Sequence, residues 1–199
     1  FSCFIWYLID KDKSILTFFY YALIFSFSAL MIDGYFQFFT TENLFGLKIS
    51  SNNRVSSFFG DELIMGSYLS RLFPLLFALF LVKQKQKFEI YFIGLLFILV
   101  DVLIYMSGER AAFFFLNLST VFIIILIKEY QKFRLVTFII AIICIIALSL
   151  NSSKMSDRMF KVPAKNIGLI KSSEQVTIFT RTHDSLIRTA YNMFKDQPL

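Results

Sequence analysis

The sequence predicts an all-α fold: a polytopic transmembrane helical bundle with an extramembrane C-terminal segment. Three observations predict it. Of the 199 residues, 57% are hydrophobic and the mean hydropathy is +0.66. The apolar residues fall into runs of near-membrane length separated by charged connectors, and only three prolines occur in the whole chain. Such a chain has lipid as its main solvent, and in lipid the backbone must satisfy its own hydrogen bonds, which favours helices.

The elements follow in order. A partial apolar segment runs from Phe1 to Ile9, and five candidate spans cover about 15–37, 63–82, 88–106, 111–127 and 135–150. A helix needs about 20 residues to cross the hydrocarbon core, and the last two runs fall a little short, a mismatch met by local thinning or by borrowed flanking residues. Residues 1–150 therefore form the transmembrane region. Residues 151–199 form an extramembrane segment, with an amphipathic helix near 180–195 in which Thr180 is a fair N-cap and Ile187, Ala190 and Phe194 make an apolar stripe. No internal repeat is present. The chain opens inside an apolar run without an initiator methionine and ends at Asp196-Gln197-Pro198-Leu199, which reads as a fragment of a longer protein.

Charge orients the bundle. The short connectors Lys11-Asp12-Lys13, Lys83 to Lys87 and Lys128 to Arg134 are basic at eight of their 15 residues, against 11 of 75 in 40–61, 107–110 and 151–199. By density the basic connectors face the cytoplasm, which leaves the second set on the outer face; the positive-inside rule counts basic residues near helix ends rather than density, so the opposite orientation is the alternative. The C-terminal segment nevertheless carries eight Lys or Arg against four acids, and the whole chain a net charge of +6, a balance suited to an anionic membrane or anionic substrate and not directed at nucleic acid. Cys3 and Cys144 lie far apart in apolar runs with no histidine or acid at ligand spacing, so neither a disulfide framework nor a metal site is expected.

Chemistry concentrates at a few polar breaks. Ser107-Gly108-Glu109-Arg110 is a tight turn between two apolar runs, and it sets a carboxylate and a guanidinium at the mouth of a helical hairpin. Upstream, Arg54 precedes Asp61 and Glu62, which stand where a helix N-terminus welcomes negative charge. Arg71, at 1.5 Å per residue, lies roughly 12 Å into its span. An arginine at that depth must snorkel, face a polar cavity or pair with an acid, and Glu62 and Asp101 are the candidates. Asp33 and Gln37 share a helical face at the outer end of their span, either as an interfacial polar cap or as part of a site. Arg181, Asp184 and Arg188 share one face of the C-terminal helix, which would lie along the membrane with its arginines turned to a headgroup. His183, the one histidine, reads as a neighbour of the helix cap rather than a catalyst.

In Asp33-Gly34-Tyr35-Phe36-Gln37, in Arg54 through Pro74, in Ser107-Gly108-Glu109-Arg110-Ala111-Ala112 and in Thr180-Arg181 leading to Phe194-Lys195-Asp196-Gln197-Pro198-Leu199, the chain resembles the O-antigen ligase and O-antigen polymerase group of bacterial cell-envelope glycosyltransferases. The resemblance implies a multi-pass protein of the bacterial inner membrane with its active face in the periplasm. It implies a metal-independent and cofactor-free transfer of glycan from an undecaprenyl-diphosphate carrier onto lipid A-core or onto another lipid-linked glycan. By match to the motifs, Arg54, Arg110 and Arg181 correspond to the clamps on the diphosphate. Arg71, Asp33, Gln37, Asp61, Glu62 and Glu109 correspond to supporting positions, the acids orienting the arginines or receiving the acceptor's proton.

The family's acceptor-side histidine would lie beyond residue 199, and His183 comes too early to be it, so residues 1–199 alone are expected to be inactive. Two rivals come from other classes. A polysaccharide flippase or other transporter would gather arginines along a central path between repeated halves. A non-catalytic membrane assembly subunit would need no site.

Overall fold

In the computed structural model the described residues are 7, 9–49, 54–83, 87–151, 153–166 and 181–196. Five helices make the first unit: α1 (Ser14–Thr40), α2 (Met65–Val82), α3 (Lys87–Ser107), α4 (Arg110–Leu126) and α5 (Gln131–Asn151). The second unit, Ser152–Leu199, contains short helical stretches at Ser153–Ser156, Asp157–Lys161 (π-helical) and Val162–Asn166, followed by α6 (Arg181–Asp196). No strand occurs among the described residues, which hold only an isolated bridge between Glu42 and Lys48. The bundle is all-α, as the sequence predicts. Most of the Phe1–Ile9 segment lies outside the described residues, as does Thr180.

The five predicted spans correspond to α1–α5, with one distinction. Among the described residues four helices are long and apolar enough to cross a membrane, whereas Arg110–Leu126 has 17 residues. At 1.5 Å per residue it rises about 26 Å, slightly less than the hydrocarbon thickness. The chain is a multi-pass membrane protein, and its side chains are distributed accordingly. Phe18, Phe25, Phe114 and Ile143 are exposed on the outside of the bundle, since lipid tails are as apolar as the rings themselves. Inside, Phe73 and Phe77 of α2 meet Phe97 of α3 at ring-centroid distances of 4.9 and 5.6 Å, and Phe80 meets Tyr130 at 5.7 Å. These tilted and edge-on pairs are the favourable geometries for ring quadrupoles.

One ion pair is buried in this apolar interior. Arg134, in the first turn of α5, is fully buried, and its Nη2 donates to both carboxylate oxygens of Asp101 on α3 at 3.1 and 3.0 Å and to Thr120 Oγ1 on α4 at 2.6 Å. Its Nη1 donates to Thr137 Oγ1 at 3.3 Å, and the guanidinium lies 4.9 Å from the Phe73 ring and 5.2 Å from Phe97. Three helices are thus tied by one side chain. The expectation that Asp101 partners Arg71 does not hold, because Arg134 occupies both of its oxygens. Arg134 itself belongs to the helix rather than to the basic connector, which is why α5 starts upstream of the predicted 135.

Removing one partner of such a pair strands the other charge in apolar surroundings. Asp101→Asn is therefore expected to cost about 3 kcal/mol in an unfolding titration in mixed micelles. Asp101→Leu combined with Arg134→Met should recover most of that loss, because neither charge then remains to be compensated.

Candidate functional site

At one end of the bundle converge the C-termini of α1 and α3, the N-termini of α2 and α4, and the loop 41–64. The hairpin turn is shaped by Gly108, whose φ of 68° is in the left-handed region that favours glycine. Gly108 N–H donates to Tyr105 O at 3.1 Å, Ser107 Oγ–H donates to Ile104 O at 2.7 Å, and α4 begins at once with Arg110.

Glu109 does not cap its own helix. Its carboxylate crosses to the N-terminus of α2, where Oε1 accepts from Gly66 N–H at 2.7 Å and Oε2 accepts from Ser67 N–H at 2.9 Å and from the Ser67 hydroxyl. The first amides of a helix lack internal partners and carry the positive end of its dipole, so a carboxylate is the fitting acceptor. Ile64, at the N-cap of α2, supplies no side-chain bond of its own. The sequence assigned this place to Asp61 and Glu62, but both are exposed in the approach to α2, and the acid that fills it arrives from 42 residues downstream of Ser67. Close approach requires the glycine: a Cβ on Gly66 would run into Ser107 Oγ and stand 3.0 Å from Glu109 Oε1.

Arg54 is set against the same turn. Its Nε–H donates to Ser107 O at 2.7 Å and its Nη2 to Leu63 O at 3.4 Å, while Val55 N–H donates to Met106 O at 3.4 Å. The loop that delivers Arg54 is held by α1. Asp33 is fully buried and accepts from Leu44 N–H at 2.8 Å and Ser57 Oγ–H at 2.6 Å. Gln37, also fully buried, accepts through Oε1 from the amides of Ser56 and Ser57 at 2.9 and 2.8 Å. Asn43 donates to Ser57 O at 3.1 Å and accepts from the amides of Phe45 and Leu47. Ser57 itself has φ 52°, an uncommon conformation for a non-glycine residue that these bonds hold in place.

The structure thus gathers Arg54, Glu109 and Arg110 around Ser107-Gly108, with Asp33 and Gln37 as the supports of the loop rather than an interfacial polar cap. Arg110 is half-buried and makes no hydrogen bond or ion pair among the described residues. Arg71 is exposed and likewise unpaired among them; it lies one turn after Ser67 on the same face of α2. The side chains of Arg181 and His183 lie outside the described residues. No group of three or more His, Cys, Asp or Glu able to hold a metal gathers among the described residues. Sequence reasoning missed the role of Gly66 and the place of Arg134. The second was signalled by spacing, since Arg134, Thr137, Ala141 and Ile145 form the one buried stripe of α5.

The electrostatic consequence is simple. The one carboxylate in the turn is spent on the α2 amides and so does not pair with Arg110. A guanidinium offers phosphate a planar fork of donors. No family model, curated protein or solved structure matches the chain.

Glu109→Gln keeps a carbonyl acceptor but removes the charge and turns an NH₂ group toward amide donors. It should cost about 1–3 kcal/mol of stability. It should also speed proteolysis of the loop 41–64, while Glu109→Asp should give an intermediate rate. Cleavage unchanged in both would show that the rim does not depend on this cap.

Proposed function

We propose that the chain forms the donor-binding side of an O-antigen ligase-like or O-antigen polymerase-like glycosyltransferase, acting at the periplasmic face of a bacterial inner membrane on a glycan carried by undecaprenyl diphosphate. The observation that carries this reading is the pair of guanidiniums beside the 107–110 turn, Arg110 unpaired among the described residues and Glu109 neutralised by helix amides. The motif resemblance supports the same reading.

The chemistry asks little of the protein beyond placement and charge. The acceptor hydroxyl oxygen bonds to the anomeric carbon as the bond from that carbon to the diphosphate oxygen breaks, and undecaprenyl diphosphate leaves with the electron pair. Arg54 and Arg110 bind the diphosphate and stabilise the negative charge that grows on it, and the motif resemblance gives Arg181 the same role. Glu109, already accepting three hydrogen bonds, serves as a positioning residue and not as a base. The proton of the acceptor hydroxyl passes to Asp61 or Glu62, the exposed acids on the loop that carries Arg54, or to water. Lipid A-core or a second lipid-linked glycan is the acceptor. Arg71 supports the clamp from one turn down α2.

In the full-length protein, Arg110→Ala should lower glycan transfer at least about 100-fold in membranes of cells that make the glycan. Insertion and folding should be unchanged, since Arg110 makes no internal polar bond among the described residues. Arg110→Lys should recover only part of the rate, because it keeps the charge and loses the fork. Full transfer by the alanine variant would overturn the assignment and favour a non-catalytic assembly subunit.

A further inference from the structure

The far end of the first unit holds a second polar cluster, at the start of α1, the end of α2 and the start of α3. Lys83 Nζ donates to Glu89 Oε1 at 2.6 Å and to Tyr21 Oη at 2.5 Å, and it stands 4.3 Å from the Tyr21 ring centroid and 5.0 Å from that of Tyr20. Burial alone would weaken the Lys83 ammonium, but the hydrogen bonds to Glu89 and Tyr21 outweigh it and hold its pKa above the ordinary lysine value. These groups line a cleft of about 540 Å³ that Lys13 closes from the other side.

Charge within the cleft does not balance. Glu89 is the one acid in its lining and is taken by Lys83, which leaves the Lys13 ammonium in excess. Lys13 makes no side-chain hydrogen bond or ion pair among the described residues. Its neighbour Asp12 is turned away to α1, accepting from Ser14 N–H at 2.9 Å and Ser14 Oγ–H at 2.8 Å, bonds that hold its carboxyl below the usual carboxylate range. The rest of the lining is mostly apolar, with Leu16, Leu79 and Val82 beside Tyr20 and Tyr21 near the ends of their spans. Cations, tyrosines and aliphatic side chains together match the mixed polarity of the membrane boundary.

We propose that this cleft is a binding site for the phosphate headgroup of an anionic phospholipid, with the phosphate on Lys13 and the upper acyl chain against Leu16, Leu79 and Val82. Lys83 and Glu89 form the fixed rear wall, and the Tyr21 hydroxyl is within the same lining. The site is at the opposite end of α1–α3 from the arginine rim and does not depend on the glycosyltransferase reading.

The test is native mass spectrometry of the purified chain released from micelles doped with phosphatidylglycerol, with phosphatidylcholine and inorganic phosphate as competitors. Lys13→Gln should lower retained phosphatidylglycerol about tenfold, the worth of one charge-assisted hydrogen bond. Thr17→Trp, which fills the cleft without altering its charge, should lower it similarly. Lys48→Gln, an exposed lysine at the other end of the unit, should leave it unchanged. Retention equal to the unsubstituted chain in both Lys13→Gln and Thr17→Trp would overturn the site. Displacement of the lipid by millimolar inorganic phosphate would overturn the lipid as occupant and leave a free-phosphate site.

Discussion

Glu109 is the constraint on which the end of the bundle around the 107–110 turn rests. Its carboxylate bridges the α3–α4 turn to the amides that open α2, elements far apart in sequence, and so fixes two helix hairpins against each other. The neighbouring features follow from that bridge. Gly66 must lack a side chain to admit it, Ser107 is held where its carbonyl receives Arg54, and half-buried Arg110 is left without an ion pair among the described residues. An acid beside an arginine would ordinarily pair with it. Here a helix N-terminus takes the Glu109 carboxylate instead.

Two further buried polar systems support the rim from below. Near the end of α1, Asp33 and Gln37 supply acceptors to the amides of Leu44, Ser56 and Ser57, which holds the loop on either side of the short 3-10 turn at Ser57–Phe59. Deeper, Asp101 and Arg134 join α3 to α5 and, through Thr120, to α4. In an interior where apolar contact with a helix is worth little more than contact with lipid, such directional bonds specify which helices meet. The adjacent Phe73 and Phe97 rings, 4.9 and 5.2 Å from the guanidinium, soften its desolvation.

Much of this architecture was legible in the sequence because hydropathy is a local signal. The apolar runs marked α1–α5 to within a few residues, and Gly108 between two such runs announced the turn. Partnership is not local, and there the sequence misled. Asp61 and Glu62 are the acids nearest the start of α2, yet Glu109 occupies that place because the hairpin brings it there. Arg134 stands among Lys128 and Lys132 and so reads as one more connector charge, although its spacing to Thr137 and Ala141 puts it on the inward stripe of α5. Asp101 looked available to Arg71 on depth alone, a criterion that ignores which face each helix turns inward.

The arginine rim stands or falls on preference for a diphosphate. Equilibrium binding of undecaprenyl diphosphate and undecaprenyl monophosphate to the purified chain in micelles tests it directly. Guanidiniums of Arg54 and Arg110 beside one turn predict that the diphosphate binds at least about tenfold more tightly, since a second phosphate gains a second set of charge-assisted hydrogen bonds. Arg110→Gln should abolish that difference while the monophosphate still binds. Equal affinity for the two lipids in the unsubstituted chain would contradict a diphosphate clamp at the 107–110 turn.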